Sequence, residues 1–225
     1  MNPIIVIPAR LKSTRLPNKL LLKKNGHPLI WHTILQAEKT GFPVAVVTDS
    51  QKIVSLVSPF CIPIMTGHHN SGTERIVEAI QQSYFRRFDF IVNWQGDEPE
   101  FPPHRVTELL AELEDAPIGT FAAFATPEET DDPNTVKVSV DSNGNAVDFT
   151  RQPIPAYKHM GIYAYSTEFL KNFSSLKESP REEEENLEQL RWMDNGYKIR
   201  VKIIPESTIG IDTEEDYQRY IGDKK

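Results

Sequence analysis

The sequence has a single cysteine, Cys61, in 225 residues. An internal disulfide is excluded, and so is a cysteine metal cluster. Cys61 lies in the apolar run Phe60 to Met65 and reads as a small buried residue. The six histidines are scattered without ligand spacing, so no zinc centre is expected. No apolar run approaches the roughly 18 residues that span a bilayer. The first residues also lack a basic segment followed by an apolar stretch and a small-residue cleavage site. No membrane partner and no secretory signal are expected, and the cytoplasm is the expected compartment. Walker A spacing, G-x-G-x-x-G, G-x-S-x-G and H-E-x-x-H are missing too, as are internal repeats, heptads and low-complexity linkers. With a net charge of -7 and no basic stripe with interleaved aromatics, nucleic acid is not an expected partner.

What remains is an ordinary globular composition on a chain long enough to bury a substantial core. Apolar strand-like runs alternate with helical patterns across Ile4 to Ile7, Leu29 to Lys39, Val44 to Thr48, Ile53 to Val57, Glu74 to Ser83 and Phe88 to Asn93. Such alternation predicts an α/β fold with a parallel sheet flanked by helices. Gly41 and Pro43 mark the end of the first helix. Beyond a helix over Arg105 to Glu114 the texture changes. Phe121 to Ala125 and Val136 to Val140 are strand-like, and Asn143-Gly144 is a hairpin turn into Ala146 to Phe149, so residues 120–165 read as a β-rich insertion. Helices are expected again at Thr167 to Phe173 and over Pro180 to Asn195, the second with a capping box at Ser179 and Glu182. A last strand, Lys198 to Ile204, precedes a last helix, Thr213 to Ile221.

The distribution of charge is more informative than its total. Through residue 37 the chain has six Lys and Arg and no acid. Arg10, Arg15 and Lys19 follow the first strand, where α/β folds place their ligand crevices. A local positive field on an acidic protein suits a small polyanion, of which a nucleoside triphosphate is the obvious example. Lys23 and Lys24 read as a solvated face.

Two carboxylate motifs stand at later strand ends. Trp94-Gln95-Gly96-Asp97-Glu98-Pro99 follows a strand, with Gly96 permitting a tight turn; it is either an ordinary turn or a carboxylate site for Mg²⁺. Gly210-Ile211-Asp212-Thr213 opens the last helix. Here Asp212 or Thr213 is an N-cap, or Asp212 joins Asp97 on one metal. A third polar turn, His69 to Arg75, reads either as a capped helix start or as a binding turn for a base or phosphate.

These residues resemble the sugar-acid cytidylyltransferases, and among them the 3-deoxy-manno-octulosonate (Kdo) cytidylyltransferase family. The matching segments run from end to end: Ile7 to Lys19, Asn25 to Pro28, Thr48-Asp49, Met65 to Arg75, Val92 to Pro99, Pro133 to Val138, Thr150 to Pro155, His159 to Tyr163, Leu187 to Arg191 and Gly210 to Thr213. The resemblance implies a Rossmann-like nucleotidyltransferase with a mixed, mostly parallel sheet. It implies one domain over residues 1–225, with the β-rich insertion at 120–165 making a homodimer. The implied reaction joins CTP and a 3-deoxy-octulosonic acid, with Mg²⁺ as cofactor, and releases pyrophosphate. Arg10, Arg15 and Lys19 would grip the CTP phosphates. Pro8, Ala9, Ser71, Gly72 and Thr73 would face the cytidine, and Asp97 and Asp212 would hold the metal. Gln95, Arg151, His159, Tyr163, Glu188 and Gln189 would line the sugar-acid pocket.

The chain departs from the family pattern in places. Asn18 stands where the family usually has Gly, and Leu20-Leu21 where it has Pro-Leu. Only Ala156, Tyr157 and Lys158 separate Pro155 from His159, where many relatives carry a much longer segment. Glu183 stands where many have His, and a carboxylate there would suit an amino-substituted Kdo. The competing readings are a cytidylyltransferase for a sialic acid or another sugar acid, and a non-catalytic nucleotide-sugar-binding protein.

Overall fold

A computed structural model describes residues 1–114, 116–205, 207–208 and 210–222. The expected span of 1–225 therefore ends in three residues outside the described ones. The chain forms two compact units, Met1–Val106 with Thr208–Lys225, and Thr107–Ser207. The stretch 120–165 falls inside the second.

In the first unit, β1 (Pro3–Ala9) carries Ile4, Ile5, Val6 and Ile7, all completely buried. A strand apolar on both faces is the mark of a parallel sheet covered by helices. β1 pairs in parallel with β4 (Val44–Thr48) on one side and β6 (Phe90–Asn93) on the other, and β4 pairs in parallel with β5 (Ile62–Met65). A small hairpin, β2 (Lys23–Lys24) and β3 (His27–Pro28), precedes α1 (Leu29–Glu38). α1 ends where Gly41 takes a left-handed φ of 76°. α2 (Gln51–Val57) and α3 (Gly72–Ala79) make the next two crossovers. The chain thus leaves β1 toward β4 and β5, then returns to its other side at β6. A crevice follows beyond the carboxyl ends of β1 and β6, at the switch point where ligands of such sheets bind. β5 was not expected as a strand. The expected helix over Arg105 to Glu114 is α4 (His104–Ala111) followed by a 3-10 turn at Glu112–Glu114.

In the second unit β7 (Ile118–Phe124) precedes α5 (Pro127–Asp131). β8 (Lys137–Val140) and β9 (Ala146–Thr150) form the expected hairpin, with Gly144 at φ 81°. β10 (Tyr157–Ser166) is a long strand that the sequence pattern did not disclose. It runs antiparallel to β7 and β8, and β7 pairs in parallel with β11 (Ile199–Ile204). After α6 (Thr167–Asn172) comes a correction. The single helix expected over Pro180 to Asn195 is two, α7 (Pro180–Glu185) and α8 (Glu188–Asp194). Asn186 adopts a left-handed φ of 53° and caps α7, a conformation Asn tolerates better than most residues. The expected capping box is only half formed. Ser179 accepts from the Glu182 N–H at 3.3 Å, but the Glu182 carboxylate turns instead to Arg191 Nε at 2.5 Å.

The last helix, α9 (Glu214–Ile221), belongs to the first unit and begins with a full capping box between Thr213 and Asp216. Cys61 is a free thiol, half-buried rather than buried, and burial pushes its pKa up to about 12.

Candidate active site

The loop after β1 carries Arg15 and Lys19 to the end of the sheet. Lys19 begins a 3-10 turn, Lys19–Leu21, entered through Asn18 at φ 54°. That left-handed residue explains the departure noted above: where Gly is unavailable, Asn is among the best-tolerated substitutes. The Lys19 ammonium donates to Asp97 Oδ2 and, at 2.7 Å, to Asp212 Oδ1, while Arg15 Nη2 lies 2.8 Å from Asp212 Oδ2. Burial opposes the charge on Lys19, but the two carboxylates outweigh it, and its pKa stands above the ordinary lysine value. Two cations and two carboxylates balance one another here.

Several features fix the carboxylates. The Ile211 N–H donates to the Asp97 carbonyl at 2.9 Å, tying the two motifs main chain to main chain. Thr213 and Asp216 supply the helix cap, and the Asp216 carboxylate also accepts from the Asp212 N–H at 3.2 Å. Asp212 is therefore not consumed as a cap, and its side chain is available to a cation. Gly96 is required for space rather than for a turn conformation. A Cβ there would stand 3.3 Å from the Pro8 carbonyl oxygen and from Leu20 Cδ2, and 3.4 Å from Ile30 Cδ1. Thr33 Oγ1 donates to the Gly96 carbonyl at 2.8 Å and pins the peptide. Glu98 points elsewhere: it is buried and accepts from Thr208 Oγ1 at 3.1 Å.

Two clefts in the first unit share Pro8, Arg10 and Gln95. One, of about 160 Å³, adds Arg15, Lys19, Asp97 and Asp212. The other, of about 120 Å³, adds Ala9, Ser71, Gly72, His69 and Arg75. Thr73 lines neither and is buried within α3. Ser71 is indeed a helix cap, accepting from the Glu74 N–H at 3.1 Å, and it borders the cleft as well. Arg10 Nη1 donates to the Asn70 carbonyl at 3.3 Å. The sequence reading missed the frame of this loop. Arg75, almost fully buried, bonds Thr66 Oγ1 at 2.7 Å and the Gly67 carbonyl at 3.2 Å and pairs with Asp49 at 3.1 Å. Thr48-Asp49 and Met65 to Arg75 thus belong to one construction.

The second unit contains a polar and aromatic cluster. His159 and Tyr163 lie on β10 with ring centroids 5.3 Å apart, and Trp192 of α8 meets Tyr163 at 5.2 Å. A regular strand separates residues four apart by about 13 Å. The register shift between Met160 and Tyr163 closes that distance. Burial pushes the His159 pKa down to about 3, so the ring is neutral, although an edge of the residue stays accessible. Burial, then Tyr165 and Glu188, hold the Tyr163 phenol protonated far above its ordinary range. Tyr163 Oη and Trp192 Nε1 are buried without a hydrogen-bond partner among the described residues. Each such atom costs about 1–3 kcal/mol, which marks the cluster as awaiting a polar guest.

The remaining sites expected from the resemblance behave differently. Gln189, on α8, is buried. Arg151 is spent on main chain, donating to the carbonyls of Glu185 at 3.2 Å and Asn134 at 3.1 Å. Glu183 is exposed on α7, with no contact to the cluster among the described residues.

A parallel α/β unit with cationic loop and paired carboxylates at its switch point defines a nucleotide-binding protein of the nucleotidyltransferase kind. The cytidylyltransferase family profile matches residues 4–199. The 3-deoxy-manno-octulosonate cytidylyltransferase of Francisella tularensis subsp. novicida (strain U112) is 40% identical, over 97% of this chain and 96% of its own. That of Bartonella henselae is also 40% identical, over 97% of each. A solved CMP:2-keto-3-deoxy-manno-octonic acid synthetase complexed with CTP is 38% identical, with a TM-score of 0.91 over 98% of this chain and 97% of the other. The chain belongs to the cytidylyltransferase family, in the branch of the 3-deoxy-manno-octulosonate cytidylyltransferases. The Francisella alignment runs over 241 positions, more than the 225 residues here, so that relative carries segments this chain lacks.

Proposed function

We infer that this protein transfers CMP from CTP to the anomeric hydroxyl of a 3-deoxy-octulosonic acid, Kdo or an amino variant, with release of pyrophosphate, for lipopolysaccharide biosynthesis. The observation that carries the reading is the Lys19 ammonium held by both Asp97 and Asp212, at 2.7 Å from the latter, beside the cationic loop after β1. Relatives matched over nearly their whole length bear the corresponding name.

The residues divide the work. Arg10, Arg15 and Lys19 bind the triphosphate and stabilise the charge that gathers on departing pyrophosphate. Ser71, Gly72 and the main chain at Pro8 and Ala9 border the cleft assigned to cytidine. His159, Tyr163, Glu188 and Gln189 orient the sugar acid, whose anomeric hydroxyl attacks the α-phosphate in line; no covalent protein nucleophile is required. Asp97 and Asp212 fit Mg²⁺, because their oxygens already converge on one cation and that metal takes one or two carboxylates together with substrate phosphates. Among the described residues no group of three His, Cys, Asp or Glu could hold a metal by itself, so substrate phosphates would have to complete the shell begun by the two carboxylates. When bound, Mg²⁺ supplies charge neutralisation at the phosphates and acidifies the attacking hydroxyl. The reading includes a homodimer acting in the cytoplasm, supported by the family resemblance; a monomeric mass in solution overturns the first part.

The experiment is pyrophosphate release from CTP and Mg²⁺ with Kdo, 8-amino-Kdo and N-acetylneuraminic acid supplied separately, and Asp97→Ala as the blank. Release with one of the two octulosonic acids is expected. Release with the sialic acid alone reassigns the acceptor, and silence with all three rejects the proposed reaction.

A further inference from the structure

Inside the bulge of β10 sits the hydroxyl of Thr120, on β7 and fully buried. Its Oγ1 lies 3.0 Å from the Met160 carbonyl, 2.9 Å from the Ile162 carbonyl and 3.1 Å from His159 Nε2. A hydroxyl has one hydrogen and two lone pairs. The carbonyls can only accept, so the hydrogen goes to them. If Nε2 were also unprotonated, three acceptors would face one hydrogen in a buried place. The arrangement closes only when Nε2–H donates to Oγ1.

We propose that Thr120 is a positioning residue that fixes His159 as the Nε2–H tautomer, so that its Nδ1 offers a lone pair to a hydroxyl of the acceptor sugar rather than a positive charge to its carboxylate. No described residue bonds Nδ1. The neutrality imposed by burial agrees, since a neutral ring with its proton on Nε2 has an acceptor at Nδ1. His159 is then neither a general base nor a carboxylate-binding cation. Its role is to reject an acceptor that presents no hydrogen-bond donor at that point, because such a sugar would cover the accessible Nδ1 lone pair, shut it off from water and leave it unmatched. The tautomer stands on geometry alone, whereas its use in sugar recognition rests on the function proposed above.

The test uses the full-length protein labelled with ¹⁵N-histidine, with His159→Gln to assign the resonances. Long-range ¹H–¹⁵N spectra at neutral pH are expected to show a protonated Nε2 and an unprotonated Nδ1. Thr120→Val, equal in shape but unable to accept, is expected to lose that pattern and to raise KM for the sugar acid about tenfold, with KM for CTP unchanged. Thr120→Ser is expected to restore both. An imidazolium, or a proton on Nδ1, in the wild-type spectrum overturns the proposal, and this measurement stands even if Thr120→Val fails to fold. A Thr120→Val enzyme with altered tautomer but unchanged sugar KM overturns the recognition half. The expected spectrum in a protein that uses no sugar acid rejects the proposed reaction and leaves the hold of Thr120 on the ring intact.

Discussion

The clefts of the first unit and the aromatic cluster of the second solve opposite problems. Around Lys19, every charge has a partner: two carboxylates, an ammonium and a guanidinium close on one another. Around Tyr163, its own Oη and Trp192 Nε1 are buried with no hydrogen-bond partner among the described residues. The first arrangement is polar throughout and holds its geometry by mutual attraction. The second is held by ring packing, and its hydrogen-bonding capacity is left over. A site for highly charged phosphates must keep its own like charges apart before the ligand arrives, whereas a site for a neutral hydroxyl can be left unsatisfied at modest cost and regain that cost on binding.

Substitutions sharpen the contrast. Asp212→Ala is expected to lower kcat by on the order of 10²–10³ or more, with the circular dichroism spectrum unchanged; near-normal turnover would remove Asp212 from the machinery. Gly96→Ala should cost about 1–3 kcal/mol in urea unfolding, since its methyl meets main chain and two packed side chains. A neutral result would mean that the β1 and β6 ends yield easily. Tyr163→Phe should do the reverse in the second unit. Deleting an unpartnered hydroxyl is expected to raise stability by up to about 1 kcal/mol while weakening sugar-acid binding, and a clear loss of stability would show that the hydroxyl is satisfied. The smallest effect concerns Asp49. Burial opposes its charge, but the Arg75 hydrogen bond outweighs this and depresses its pKa below 3.8. A depressed carboxyl contributes stability above its unfolded pKa and loses it as pH falls through the folded one. Thermal midpoints followed from pH 5 downward should therefore fall less steeply in Asp49→Asn than in the wild type.

The same contrast explains what the sequence disclosed. Loops after parallel strands must carry whatever touches the ligand, so Arg15, Lys19, Asp97 and Asp212 stand out as charges in the loops that follow apolar strands. The competing N-cap reading of Asp212 could not be decided from spacing, because Thr213 beside it is equally able to cap and does so. In the second unit the chemistry comes from packing. A register shift brings His159 to Tyr163, and Thr120 sits in a strand whose pattern reads as apolar core. Neither leaves a local signature. The break between α7 and α8 was hidden for a related reason: the glutamates before Asn186 and the residues after Leu187 are mostly good helix formers, and only the left-handed backbone of Asn186 ends the first helix.

The bond from the Ile211 N–H to the Asp97 carbonyl also bears on how the protein is made. A ribosome releases Asp97 more than a hundred residues before Asp212. During that interval the parallel strands of the first unit, the cationic loop and one carboxylate are already available, but the second carboxylate and the helix cap that anchors it are not. Competence for phosphate chemistry would then wait until Gly210 to Thr213 has been made, and a chain cut short before Gly210 would be able to build the parallel strands and yet leave Lys19 with one carboxylate partner in place of two.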